Sequence, residues 1–251
     1  MADQSIGTNR NYAIDVLKFL AVFLVMNSHM ELCYPKYQFL ATGGAIGDAL
    51  FFFASGFTLF LGRTMRFDLW YKRRISRIYP SIISAAIVAY VVWGIQDNIG
   101  DILIGKRYWF IGCILIYYVF LYPLKLIKND KVLNWIFVGT LFILLAAFFL
   151  IWKGNVSPYV QGVYRYLFFF ILMLQGAIMG KHADKFIFKW WHIPLFVLSI
   201  SLWFLMVHIG SGVSLTISVF CLLGLTYCLY CILRARFFSR IAETRMGGVL
   251  Y

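Results

Sequence analysis

Residues 15–30 read DVLKFLAVFLVMNSHM, and this stretch shows how the chain is built. An uninterrupted apolar run from Phe19 to Met26 is preceded by Asp15 and Lys18 and followed by His29. With its flanks, the run is long enough to form a helix that crosses a lipid bilayer. Ionisable side chains in such a helix are costly, and they usually face the interior of a helix bundle and serve a function.

The composition places the whole chain among membrane proteins. Of its 251 residues, 62% are hydrophobic and only 13% are charged, and the mean hydropathy is +0.81. Soluble domains are about half apolar and about a quarter charged. The length suits one polytopic bundle, since each membrane crossing takes about 20 residues.

Eight apolar spans are predicted, and each should be a helix because the backbone must satisfy its own hydrogen bonds in lipid. They cover residues 12–33, 42–62, 79–95, 103–124, 132–152, 164–180, 191–208 and 213–233. A ninth span begins near Gly247 and stops at Tyr251. We therefore expect an all-α transmembrane helix bundle of eight complete spans and a partial ninth. Residues 1–251 would form one domain with an incomplete C-terminal end.

Positive charge collects in every second loop. The basic loops are residues 63–78, 125–131, 181–190 and 234–245, whereas each loop between them carries one lysine or none. Basic loops lie on the cytoplasmic side of a membrane, which predicts a cytoplasmic N-terminus. The net charge of +13 is then explained by orientation and by anionic ligands, and no nucleic-acid partner is expected.

The cysteines are predicted to be buried thiols without a metal. All five lie in apolar stretches, and the Cys228-x-x-Cys231 spacing has no second cysteine pair or nearby histidine. They are Cys33, Cys113, Cys221, Cys228 and Cys231.

The ionisable residues of the first span share one helix face. Lys18 and His29 are eleven positions apart, which is about three turns and roughly 16 Å along the axis. Asp15 precedes Lys18 by one turn. Asp15 and Lys18 could form an interfacial ion pair, and His29 could be structural. A histidine in a membrane cavity could also act as a general base or carry protons in a transporter.

Four stretches together resemble the acyltransferase-3 family of integral membrane acyltransferases. DVLKFLAVFLVMNSH (15–29) is similar to a D-x-x-R-x10-H opening, and GAIGDALFFFASGF (44–57) to a G-x-x-G-V-x-x-F-F-x-x-S-G-F element. YKRRISRIYP (71–80) is similar to an R-x-x-R-I-x-P loop, and YWFIGCILIYYVFLYPL (108–124) is a weaker match. The motifs follow the family order. Beyond about residue 125 only the hydropathy matches.

The resemblance implies transfer of an acyl group, often acetyl from acetyl-CoA, to a hydroxyl of a carbohydrate or other cell-envelope acceptor. Acyl-CoA would be a substrate, and no bound cofactor is expected. The implied catalytic residues are His29, Lys18 and Asp15; the implied acyl-CoA ligands are Arg73, Arg74 and Arg77; and the implied cavity residues are Asp48, Ser55 and Trp109.

Two residues depart from the family pattern. Lys18 stands where the motif has arginine, and lysine keeps the charge but loses the bidentate fork. Asp48 replaces an apolar residue, and a carboxylate there could bind sugar hydroxyls or lie among lipid headgroups.

Structural alternatives remain for two other groups. Arg74 and Arg77, predicted in a cytoplasmic loop, suit phosphate but could instead serve orientation or bind anionic lipid. Ser55 could simply allow close helix packing together with Gly47 and Gly56.

Three functional classes stay open at this point. The chain could be a membrane O-acyltransferase, a transporter or flippase of a polar or glycan substrate, or an inactive truncated homologue. In each case we expect a multi-pass protein of the plasma membrane, the inner membrane of a bacterium, in contact with membrane lipid. The oligomeric state is left open.

Overall fold

A computed structural model of the protein describes residues 11–62, 64–95, 98, 100, 101, 109–160 and 162–235. Within these residues the chain forms eight long α-helices and no strand, with short 3₁₀ turns at Glu31–Cys33, Gln38–Leu40 and Ala183–Lys185. The helices are α1 (Tyr12–Ser28), α2 (Gly44–Leu61), α3 (Phe67–Trp93), α4 (Trp109–Leu126), α5 (Asp130–Leu150), α6 (Gly162–Lys181), α7 (His192–Ile209) and α8 (Gly212–Leu233). The all-α class predicted from the apolar spans is confirmed.

The helices are those of a multi-pass membrane protein. In the part of the chain that the structure describes, seven helices are long and apolar enough to cross a membrane, and α1, with 17 residues, falls short of that length. The first span was predicted to run to residue 33, which is wrong, because α1 ends at Ser28 and the chain turns there. The predicted ninth span lies outside the described residues.

The centre of the bundle is a glycine-mediated contact between α2 and α6, the most extensive helix pair in the fold. A methyl group on Gly56 would overlap the carbonyl oxygen of Met173, and one on Gly176 would overlap that of Phe53. Glycine therefore lets the two backbones approach closely, as small residues do in membrane helix packing. Helices α1, α4, α5 and α8 pack on this pair.

The third helix begins twelve residues before the predicted span at 79–95, so the basic residues 72–77 are helical and the prediction of a loop there is wrong. Hydropathy misses this half of the helix because Lys72, Arg73, Arg74 and Arg77 lower its mean hydropathy. Trp70 is 3% exposed and packs edge-on against Tyr118 of α4, with ring centroids 5.8 Å apart. The hydroxyl of Tyr71 also donates to the carbonyl of Leu115.

Lysine and arginine side chains tie the ends of the even-numbered helices into one basic face. Lys125, at the end of α4, donates to the carbonyl of Leu59 at the end of α2, with Nζ and oxygen 2.8 Å apart. Lys181, at the end of α6, donates to the carbonyl of Ile127 at 3.0 Å. Arg234, after α8, donates to the carbonyl of Phe186 at 3.1 Å. Cations satisfy helix C-terminal carbonyls and complement the helix dipole there.

The cysteine prediction holds for four of the five residues. Cys113, Cys221, Cys228 and Cys231 are buried, but Cys33 is exposed in the 3₁₀ turn that follows α1. The prediction for Cys33 is wrong because the first helix stops before it.

Candidate active site

Four of the sequence-predicted site residues line one cavity near the basic face. Lys18 of α1, Ser55 of α2, and Arg74 and Arg77 of α3 border a space of about 550 Å³, which we call the inner cavity. Three cations around one opening favour an anionic ligand, since guanidinium forks and ammonium groups are the usual phosphate ligands of proteins.

Aromatic side chains hold Arg74 in the inner cavity. Its guanidinium carbon lies 5.9 Å from the ring centroid of Trp70, one helical turn earlier, in a cation–π contact. Tyr118 of α4, which is 7% exposed, lines the same cavity. Arg74 is half-buried, whereas Arg77 is exposed at the mouth of the cavity. This packing gives Arg74 a defined position that an ordinary surface arginine lacks.

Three further predicted residues line a second space at the other end of the same helices. His29 after α1, Asp48 of α2 and Trp109 of α4 border a space of about 510 Å³, which we call the outer cavity. The remaining lining is largely apolar, with Val22, Val25 and Met26 of α1 among it. A base, an acid and an indole in one cleft suit a polyhydroxylated ligand, because the polar groups bind hydroxyls and the ring packs against the carbon skeleton.

The loop that follows α1 is tied to the end of that helix next to His29, whose side chain is exposed. The side-chain amide of Asn27 donates to the carbonyls of Leu40 and Thr42, at 2.7 and 3.0 Å. The hydroxyl of Tyr34 donates to the side-chain oxygen of Asn27 at 3.0 Å. These bonds end the helix and fold the loop over it, so that His29 lies at the helix terminus beside the cavity.

The structure separates residues that the helix-face argument had grouped. Lys18 lines the inner cavity and His29 the outer one, while Asp15 is half-buried and borders neither. Arg73 is exposed and does not line the inner cavity. The predicted acyl-CoA ligands are therefore divided, with Arg74 and Arg77 at the cavity and Arg73 on the surface.

Sequence reasoning missed Arg165, which lies on α6 behind the outer cavity. Its guanidinium carbon is 4.4 Å from the ring centroid of Trp109, and its charge acts on Asp48. The buried Nε atom has no hydrogen-bond partner among the residues that the structure describes. The signal was available, because a single arginine inside an apolar span is a functional candidate by default.

The two cavities adjoin. Phe51 of α2, and Phe110 and Ile111 of α4, line both of them and form the wall between them. A cationic chamber and a chamber with a base thus meet across apolar side chains. The arrangement can bring an anionic donor and a hydroxylated acceptor together from opposite ends of the helices.

Comparison with known proteins shows the family of the chain. The family model described as an acyltransferase domain, that of the acyltransferase-3 family, matches residues 11–245. No curated protein and no solved structure matches the chain significantly. The family match covers nearly the whole chain, both cavities included, and it supports acyltransferase activity in a membrane in general. This chain belongs to the acyltransferase-3 family.

Proposed function

We propose that the protein is a membrane O-acyltransferase that moves an acetyl group from cytoplasmic acetyl-CoA to a hydroxyl of a carbohydrate in the cell envelope. The observation that carries this proposal is the pair of adjoining cavities, one cationic and one containing His29, within an acyltransferase domain. The basic face would lie in the cytoplasm of a bacterium, with the bundle in its inner membrane.

The inner cavity would bind the donor. Arg74, Arg77 and Lys18 supply the cations that hold the phosphates of acetyl-CoA, which is made in the cytoplasm. Bound there, the thioester end of the molecule points away from the phosphates and into the bundle. The hydroxyls of Ser55 and Tyr118 line the same path.

The outer cavity would bind the acceptor and carry out the chemistry. An imidazole nitrogen of His29 takes the proton of an acceptor hydroxyl, and the oxygen attacks the thioester carbonyl carbon. A carbon–oxygen bond forms and the carbon–sulfur bond breaks, and the departing CoA sulfur receives the proton from His29. Asp48 would accept hydrogen bonds from other hydroxyls of the sugar, and Trp109 would pack against its ring.

Radiolabelled acetyl transfer tests this proposal directly. Membranes expressing the chain would receive acetyl-CoA labelled in the acetyl group, beside membranes with an equal amount of the stably inserted His29→Ala variant. We expect label in an alkali-labile ester on envelope glycan with the wild-type chain only. Equal transfer by the two proteins would remove His29 from the mechanism, and no transfer by either would favour a transporter or an inactive homologue.

A further inference from the structure

The wall between the two cavities is built from two phenylalanine rings. Phe51 of α2 and Phe110 of α4 meet edge to face, with centroids 4.9 Å apart and an interplanar angle of 77°. Both rings are half-buried, and both border each cavity. Ile111, the next residue of α4, completes the shared lining.

Aromatic side chains of α2, α4 and α6 pack against this wall. Phe52, which is fully buried, packs on Phe110 with centroids 4.5 Å apart, and it also contacts Phe169 of α6 at 5.5 Å. Trp109 meets Phe110 edge to face at 5.9 Å. Because packed interiors yield little to added volume, a displacement of the Phe110 ring toward Phe52 would disturb α2, α4 and α6 together.

We propose that Phe51 and Phe110 set the length of the acyl chain that the protein transfers, and restrict the donor to short acyl thioesters. This inference rests on the proposed function. With the phosphates at Arg74 and Arg77, the acyl group is the leading end of the donor and meets the wall first. The carbonyl carbon must come within reach of the acceptor oxygen, so every further carbon of the chain has to fit between or beyond the two rings.

The contact between the rings favours acetyl. An edge-to-face pair at 4.9 Å leaves no slot between its members for a polymethylene chain. A two-carbon acyl group needs only its methyl carbon beyond the carbonyl, whereas a butyryl group adds two methylenes that would displace a ring. The two rings select among donors only, because the acceptor approaches from the outer cavity.

The selectivity for acyl-chain length is measured by comparing two donors. Acetyl-CoA and butyryl-CoA, each labelled in the acyl group, would be supplied to membranes with wild-type chain, Phe51→Ala or Phe110→Ala. Since one methylene in an apolar pocket changes specificity by about 10-fold or more, we expect the butyryl-to-acetyl ratio to rise at least ~10-fold in either variant. Phe51→Trp should lower acetyl transfer, because it enlarges the wall.

A lipid-facing phenylalanine provides the matched control. Phe142 of α5 is 72% exposed, and Phe142→Ala should leave the ratio unchanged. Equal losses with both donors in Phe51→Ala and Phe110→Ala would mean that the rings only stabilise the fold, and would overturn the proposal. A wild-type chain that transfers butyryl as readily as acetyl would overturn it as well.

A labelling experiment separates this inference from the proposed function. Ser55→Cys, in a Cys33→Ser background, places a thiol in the inner cavity while the other cysteines are buried. A small membrane-impermeant thiosulfonate should label it from the basic face only, and from both faces once Phe51→Ala is added. Absence of acyl transfer by the wild-type chain would end the proposed function. Labelling from both faces with both phenylalanines present would show that the rings do not close the passage between the cavities, and would overturn this inference.

Discussion

The inner and outer cavities lie on the same helices but have opposite chemistry. The inner cavity contains Lys18, Arg74 and Arg77, whereas the outer cavity contains one acid, Asp48, and one histidine, His29. Three cations suit the phosphates of a nucleotide thioester, and they would do little for a neutral sugar. On the proposed function, the difference corresponds to two ligands that enter from opposite ends of the bundle and meet at the wall between the cavities.

The two cavities also differ in how their functional residues are supported. Asp48 and Ser55 lie on α2, which is packed through glycines against α6. Arg74 lies on α3, which contacts α4 mainly through aromatic residues near its start and exposes residues such as Ile87 and Val91 further along. Both cavities thus share α2 of this helix pair, since Asp48 lines the outer cavity and Ser55 the inner one. The inner cavity also depends on α3, which has few neighbours among the described residues; on the proposed function this leaves room for acyl-CoA to enter.

Replacing His29 with alanine should produce the largest effect on the transfer rate. It should leave donor binding at the inner cavity unchanged. Loss of a general base lowers the transfer rate by about 10²- to 10⁴-fold. Binding of labelled acetyl-CoA to the membranes should stay within about twofold of wild type, because the donor ligands are untouched. Transfer and binding would be measured on the same membrane preparations.

A matched variant controls for the state of the protein. His208 near the end of α7 lines neither cavity, so His208→Ala should leave both transfer and binding unchanged. Loss of acetyl-CoA binding in His29→Ala at equal protein level would contradict a division of labour between the cavities.

Replacing Arg74 should produce the next largest effect, this time on the donor. A hydrogen bond between two charged groups contributes about 1.5–3 kcal/mol, so Arg74→Ala should weaken acetyl-CoA binding by roughly 10- to 100-fold. The neighbouring Arg73 is exposed outside the cavity, so Arg73→Ala should change binding by less than about twofold. Titration of labelled acetyl-CoA would measure both. Similar losses in the two variants would show that the basic segment acts only by its total charge.

The sequence predicts well the apolar helices, whose length and composition are set by the bilayer. Apolar spans were recognisable because a bilayer requires about 20 apolar residues for each crossing. The start of α3 was missed because Arg73, Arg74 and Arg77 look like a loop when only hydropathy is considered. Their helical geometry depends on Trp70 and Tyr71 packing against α4, which no local pattern reveals.

Individual site residues could be predicted from single sequence motifs, but their grouping into cavities could not. Asp48, Ser55 and Trp109 were chosen from separate stretches, but their division between two cavities is a property of the folded bundle. Phe51 and Phe110 could not have been singled out among 25 phenylalanines, because only tertiary packing makes two of them a shared wall.

Replacing Arg165 tests whether its charge and that of Asp48 act together at the outer cavity. Its guanidinium stacks on Trp109 and acts on Asp48, and cation–π contacts with partial burial contribute about 1–2 kcal/mol. Arg165→Met should therefore lower transfer about tenfold while acetyl-CoA binding is retained. Adding Asp48→Asn should cost less in this variant than in the wild-type chain, because the charges of the two residues act on each other. Additive losses in the double variant would show that the two residues act independently.

Replacing Lys18 with arginine should produce the smallest effect, and its direction is informative. Lys18 borders the same cavity as Arg74 and Arg77, so the change keeps the positive charge and adds a bidentate fork. If its role is to hold a phosphate, Lys18→Arg should tighten acetyl-CoA binding by about tenfold or less, since the charge is already present and the fork adds one hydrogen bond worth about 0.5–1.5 kcal/mol. Lys18→Met, which keeps the length of the side chain and removes its charge, should weaken binding.

If Lys18 serves mainly to pair with Asp15, one turn earlier on α1, arginine should be neutral for donor binding. Asp15→Asn would then reduce transfer as much as Lys18→Met does. Donor titration of these three variants assigns the lysine either to the donor cavity or to the structure of the first helix.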